Sequence, residues 1–235
     1  MSELAHSLSP KDKAWQVHLR LNDVFGRLPT YPRRDPMREL ISTMLSHRTT
    51  HANEEKAYFQ MLEKFPTWQQ VMDAPVEELA DALSPAEFPG AKAVNIQKTL
   101  RIIQQTHPDF NLAFLEQMEV APAMDWLMAL PGVGLKTATL VLLFNFHKPV
   151  LPVDTHVHRI SQRVGLIGAK VTHDKAHAIL LEMFPADADV LYNFHRHMLK
   201  HGQKVCTFHH PKCEACALQN LCNYYAEVRS KGIDK

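Results

Sequence analysis

Glycine is scarce, 8 residues in 235, too few for the many tight turns of a β-sandwich. No stretch approaches 18 consecutive apolar residues, so a membrane-spanning helix is excluded. The start, Met1-Ser2-Glu3-Leu4-Ala5-His6, has no basic segment followed by an apolar one, so no secretory leader is expected and the expected location is cytoplasmic. An excess of either charge is missing too: 26 Lys and Arg stand against 25 Asp and Glu, a net +1. Low-complexity segments and a 34- to 47-residue internal repeat are absent, which excludes a disordered chain and a helical solenoid. No flavin, haem or nicotinamide motif is present.

What the chain does contain is helix signals. Ser9-Pro10-Lys11-Asp12 reads as a capped helix start, followed by Ala14, Val17, Leu21, Val24 and Phe25 on one face. Asp35-Pro36 repeats the start signal, Thr67 to Gln70 reads as a capping box, and Ala74-Pro75 marks another beginning. Apolar stripes recur at 57–65, 93–103 and 176–184. No period-2 run is bounded by turns, so the expected class is all-α, with about ten helices. Pro149 and Pro152 break the chain just after a very apolar stretch. Trp15, Trp68 and Trp126 are expected in the core, His6, His18 and His107 at the surface, and Asp125 as a charge near a helix N-terminus.

All four cysteines fall in the last thirty residues: Cys206, Cys213, Cys216 and Cys222, a C-x6-C-x2-C-x5-C pattern. Four thiolates in one short loop suit one soft metal centre. Zinc usually takes two C-x2-4-C pairs, and only the central pair is that close, so the spacing favours an iron–sulfur cluster over zinc, with disulfides third. A structural role is favoured over electron transfer. The intervening loop, Thr207 to Lys212, is basic and suits phosphate contact. The last 41 residues carry seven Lys and Arg against three Asp and Glu. On charge alone that is a solvated tail.

Leu130-Pro131-Gly132-Val133-Gly134 reads as a hairpin between two helices. Two glycines allow positive φ and close backbone approach, and amides at a helix N-terminus suit an anion. Lys136 follows in the first helical turn, where the helix dipole disfavours an ammonium. Two roles stand open for it, a phosphate-binding lysine and a Schiff-base nucleophile. Asp154, after Pro152-Val153, is either an N-cap or a carboxylate that stabilises developing positive charge.

Taken together, Leu130 to Ala138, Val153-Asp154-Thr155-His156, His201-Gly202 and the cysteine spacing resemble the endonuclease III group of helix–hairpin–helix DNA glycosylases, from about Pro36 to Cys222. The resemblance implies two helical domains with a DNA cleft between them: a six-helix barrel at 29–148 containing the hairpin, and a discontinuous domain of 1–28 plus 149–235 holding a [4Fe–4S] cluster on the four cysteines. It implies a monomer acting on double-stranded DNA that carries a damaged base or abasic site, flipping the damaged nucleotide out of the duplex. Lys136 matches the family's catalytic lysine, which attacks the sugar and then nicks the strand by β-elimination. Asp154 matches its catalytic aspartate. A lysine at 136, and no glutamate around Ser42-Thr43, point to oxidised pyrimidines rather than to adenine or thymine mismatches.

Several positions depart from the family pattern. Arg48 stands where a glutamine usually fills the gap left by the flipped base, and Phe88 where a leucine wedge is usual. Pro89-Gly90 replaces a polar loop, and His209 and His210 replace Arg or Lys. The expected DNA contacts are Arg48, Phe88, Gly132, Val133, Gly134, His156, His209, His210 and Lys212. His156 and His158 are further read as orienting the helix start at Asp154. The altered wedges leave open a damage-binding or weakly active homologue. A mismatch-specific glycosylase and a redox module are the remaining alternatives.

Overall fold

The computed structural model describes residues 8–29 and 34–230, without the side chains of 228–230. His6 lies outside the described residues. Among those described there are twelve α-helices, three short 3-10 turns and no strand, against an expectation of about ten. The chain divides into two compact units, residues 31–148 and residues 1–30 with 149–235.

The continuous unit holds α2 (Pro36–Leu45), α3 (His51–Lys64), α4 (Trp68–Asp73), α5 (Val76–Ala82), α6 (Pro89–Thr106), α7 (Val120–Met128) and α8 (Leu135–Phe146). Its centre is α8, buried from Thr137 to Leu143 without interruption. A helix apolar on all sides needs neighbours on all sides, and α8 packs on α2, α7 and the 3-10 turn Ala113–Glu116. Each leucine buried there contributes about 1.5–3 kcal/mol. The start signals form as read. Asp35 caps α2 through the amides of Met37 and Arg38, at 2.9 and 3.2 Å, and Thr67 and Gln70 make a reciprocal capping box.

The discontinuous unit holds α1 (Pro10–Phe25), α9 (Thr155–Val164), α10 (His173–Leu181), α11 (Ala188–Lys204) and α12 (Asn223–Ser230). Here α11 packs on both α1 and α9, so the N-terminal helix closes onto the C-terminal ones. Ser9 caps α1 from 3.1 Å.

Several local expectations change. None of the three tryptophans is fully buried, and Trp15 is 37% exposed. Trp15 stacks on His18, whereas Trp68 meets Tyr58 edge-on and Trp126 meets His107 and Phe114 edge-on. His18 is buried, stacked on Trp15 and edge-on to Phe184. Val24 is exposed, while its neighbour Phe25 packs against His197 of α11. Pro89 and Gly90 are the first turn of α6 rather than a loop, since proline suits the first helical position. The helix before the hairpin begins at Val120, so Asp125 lies well inside it.

Candidate functional site

One helix of the continuous unit, α6, fixes the hairpin. Gly132 has φ +79° and sits directly over Asn95 of α6; a Cβ there would lie 3.0 Å from the Asn95 side-chain nitrogen. Thr99, one turn on, donates its hydroxyl to Pro131 O at 3.0 Å. Gly134 behaves differently from the expectation. Its backbone is extended and a Cβ would meet nothing, so the protein's own packing does not demand glycine there. Val133 has a buried side chain, and its N–H donates to Leu130 O at 3.1 Å, which makes it part of the turn. No side chain caps α8. Its first-turn amides, at the positive end of the helix, are therefore suited to an anion from outside.

Lys136 is the second residue of α8, half-buried, and its Nζ donates to Ser46 Oγ at 3.4 Å. Ser46 Oγ in turn donates to Thr43 O at 2.8 Å, which leaves its lone pairs for the ammonium or amine. Ser46 opens the turn between α2 and α3, and the same turn carries His47 and Arg48. His47 is held below the ordinary histidine range by burial first and then by the charges of Lys136, Lys92 and Arg48. Cationic side chains therefore gather at this turn.

A cavity of about 580 Å³ opens beside it, lined by Met44, His47, Arg48, Phe88, Lys92, Asn95 and the glycines of the hairpin. Five of the residues expected to touch DNA (Arg48, Phe88, Gly132, Val133 and Gly134) line this one space. Arg48 and Phe88 both sit in the left-handed backbone region, at φ 54° and 56°, and the guanidinium lies over the phenyl ring at 5.7 Å from its centroid. Phe88 is 56% exposed. Lys92 was not legible as a site residue. It is buried, and its Nζ donates to Leu45 O at 2.7 Å, His47 O at 2.9 Å and Thr49 Oγ1 at 2.8 Å. Burial lowers its pKa, partly offset by Glu87.

Asp154 belongs to the other unit. It is the N-cap of α9, and its Oδ1 accepts from Val157 N at 2.7 Å. The chain leading to it, Val150 to Val153, is buried. Two buried histidines fasten it: His177 Nδ1 donates to Leu151 O at 3.0 Å, and His195 Nδ1 to Pro152 O at 2.9 Å. Sequence reading gave neither of them a role. His156 lies against Gly202, where any Cβ would come within 2.6 Å of its ring, and its Nδ1 accepts from Arg159 at 3.1 Å. The glycine at 202 is thus required by the packing of His156.

Cys206, Cys213, Cys216 and Cys222 line one small apolar cavity beneath Arg163, Tyr224 and Tyr225. Burial raises the thiols of Cys213 and Cys222, and pushes Cys216 up to about 11, with the neighbouring cysteines adding to the shift. Four thiolates cannot share this space without a cationic body among them. Donors already face the sulfurs: Arg163 Nη1 lies 3.3 Å from Cys206 Sγ, and Leu218 N 3.4 Å from Cys216 Sγ. Among the described residues no three His, Cys, Asp or Glu side chains form a group able to hold a metal ion. Four cysteine thiols gathered on one cavity are a soft donor set, and as thiolates they fit an iron–sulfur body or a soft metal ion. Arg163 also donates to Thr207 O and Phe208 O, at 2.6 and 2.8 Å, pinning the loop whose His209, His210 and Lys212 are exposed.

Comparison with known proteins agrees with this arrangement. Residues 41–186 match the HhH-GPD superfamily base excision DNA repair protein family. The chain is 36% identical to endonuclease III of Thermotoga maritima over 211 residues, 89% of this chain and 93% of the relative. It is 31% identical to endonuclease III of Escherichia coli K12, over 82% and 86% of the two chains. A trapped endonuclease III–DNA covalent intermediate, an estranged-adenine complex, superposes with a TM-score of 0.80 at 27% identity, covering 94% of this chain and all of the other. The chain therefore belongs to the HhH-GPD superfamily of base excision DNA repair proteins and, within it, to the endonuclease III family.

Proposed function

We propose that this protein is a bifunctional DNA glycosylase/AP lyase that binds double-stranded DNA as a monomer and removes oxidised pyrimidines. Lys136 carries the reading: an amine on the first turn of α8, immediately behind an uncapped hairpin and hydrogen-bonded to Ser46 Oγ. The uncapped amides at Gly134 and beyond take a backbone phosphate, which registers the duplex without reading its sequence. Arg48 and Phe88 occupy the gap left by the everted nucleotide, where a planar guanidinium can both stack and hydrogen-bond. His156, His209, His210 and Lys212 are the contacts assigned to the other unit.

The Lys136 amine attacks C1′ of the everted nucleotide, and the N-glycosidic bond breaks with its electron pair leaving on the base. Asp154 stabilises the positive charge that develops at C1′. One proton of the attacking nitrogen passes to the departing base, and loss of the second, with ring opening that leaves O4′ protonated, gives an imine. A proton then leaves C2′, the C3′–O bond breaks 3′ to the lesion, and water releases Lys136. Cys206, Cys213, Cys216 and Cys222 are the ligands that would hold a [4Fe–4S] cluster, which would cross-link the segment 206–222.

Borohydride reduction during turnover tests this reading. A covalent protein–DNA adduct is expected with wild type and none with Lys136→Ala. Base release by Lys136→Ala at the wild-type rate would show that the lysine only holds phosphate, and a damage-binding role would follow if neither protein released base.

A further inference from the structure

We propose that Lys92 and Thr49 are positioning residues that hold Arg48 and Phe88 as one preassembled pair for opening duplex DNA. This rests on the reading of Lys136 given above. Arg48 and Phe88 lie in separate turns, one between α2 and α3 and the other before α6, yet each adopts a left-handed backbone that non-glycine residues enter only at a cost. A single polar node joins the two turns. Thr49 Oγ1 accepts from Lys92 Nζ at 2.8 Å and from Glu87 N at 3.1 Å, and donates to His47 O at 3.1 Å. Lys92 Nζ adds the carbonyls of Leu45 and His47. The residues on either side of Arg48 and the one before Phe88 are therefore bonded to the same node, and the guanidinium rests over the ring as a result.

A buried lysine with three oxygen partners could serve the fold alone. The two roles differ in which substrate feels the loss. A pair that acts on the base stack matters when the target must leave a duplex, and matters little when the sugar is already accessible. The experiment compares wild type with Lys92→Met, Thr49→Val and Thr49→Ser on two substrates: an oxidised pyrimidine in duplex DNA, and a preformed abasic site in a single strand. The readout is the single-turnover rate of borohydride-trappable adduct.

For Lys92→Met and Thr49→Val the duplex rate should fall about tenfold or more, since misplacing a positioned group typically costs that much. The single-strand rate should stay within about twofold, and Thr49→Ser, which keeps the oxygen, should stay within about twofold on both. Equal losses on the two substrates, or no loss on either, would overturn the inference. Wild type trapping neither substrate would instead remove the lysine chemistry beneath it, and the inference with it.

Discussion

Single residues carry unequal constraints at the hairpin. Gly132 is fixed by both its positive φ and the 3.0 Å approach to Asn95, so Gly132→Ala should destabilise the protein by about 1–2 kcal/mol or more. Gly134 meets neither constraint, and Gly134→Ala should cost under ~1 kcal/mol. If its open face receives a phosphate, duplex affinity should nonetheless fall several-fold at unchanged fold stability. Thermal unfolding together with DNA titration separates the two effects. Equal melting losses for both variants would contradict this assignment. The sequence shows why only half of it was legible: a G-x-G pattern reveals that small residues are needed, but not whether Asn95 or an outside ligand is what they must accommodate. Lys92 was hidden for a related reason. Its three acceptors are Leu45, His47 and Thr49, more than forty positions away, and nothing local to α6 announces them.

At the scale of elements, caps and stripes located most helices, because their signals lie within a few residues of one another. Ser9, Asp35 and Thr67 all cap as read. The long α11 escaped because its buried face is not uniformly apolar. Tyr192, Asn193, Phe194, His195, His197, Met198, His201 and Gly202 are all buried, and a stripe one-half polar gives no hydrophobic period. That polarity serves the neighbouring segment. His195, with His177 of α10, fastens Leu151 and Pro152 just ahead of Asp154. His195→Leu should strand a buried carbonyl, costing about 1–3 kcal/mol, and, on the role proposed for Asp154, should slow base release by loosening the segment that precedes it. Unfolding and single-turnover assays on the same variant check both. An unchanged single-turnover rate in a measurably destabilised protein would restrict His195 to the fold.

Across the whole molecule, the balanced charge gave little guidance, while the buried histidines make stability a function of pH. His197 is fully buried against Phe25, and burial lowers its pKa to about 4. The unfolded chain takes up its proton near pH 6.5, so between about pH 6.5 and 4 unfolding binds the extra proton and folding stability declines with acid. The decline is about 1.4 kcal/mol for each pH unit in that window and ceases below it for this group. His197→Phe should reduce the slope of unfolding free energy against pH by up to one proton between those limits and leave stability above pH 7 little changed in its pH dependence. An identical acid slope in the variant would show that His197 is not the titrating group. The cluster expectation is tested at the same scale. Protein purified without oxygen should carry iron and sulfide in equal amounts, and Cys216→Ser should lose both along with protection of residues 206–222 from proteolysis. Full retention by the variant would remove Cys216 from the ligand set.

The central claim, that Lys136 is the nucleophile, is tested most directly by peptide mapping of the borohydride-reduced adduct. Mass spectrometry should place the residual sugar fragment on the Nζ of Lys136, within the peptide that follows Gly134. A fragment on any other amine, or an enzyme that nicks damaged DNA while forming no adduct, would contradict the account.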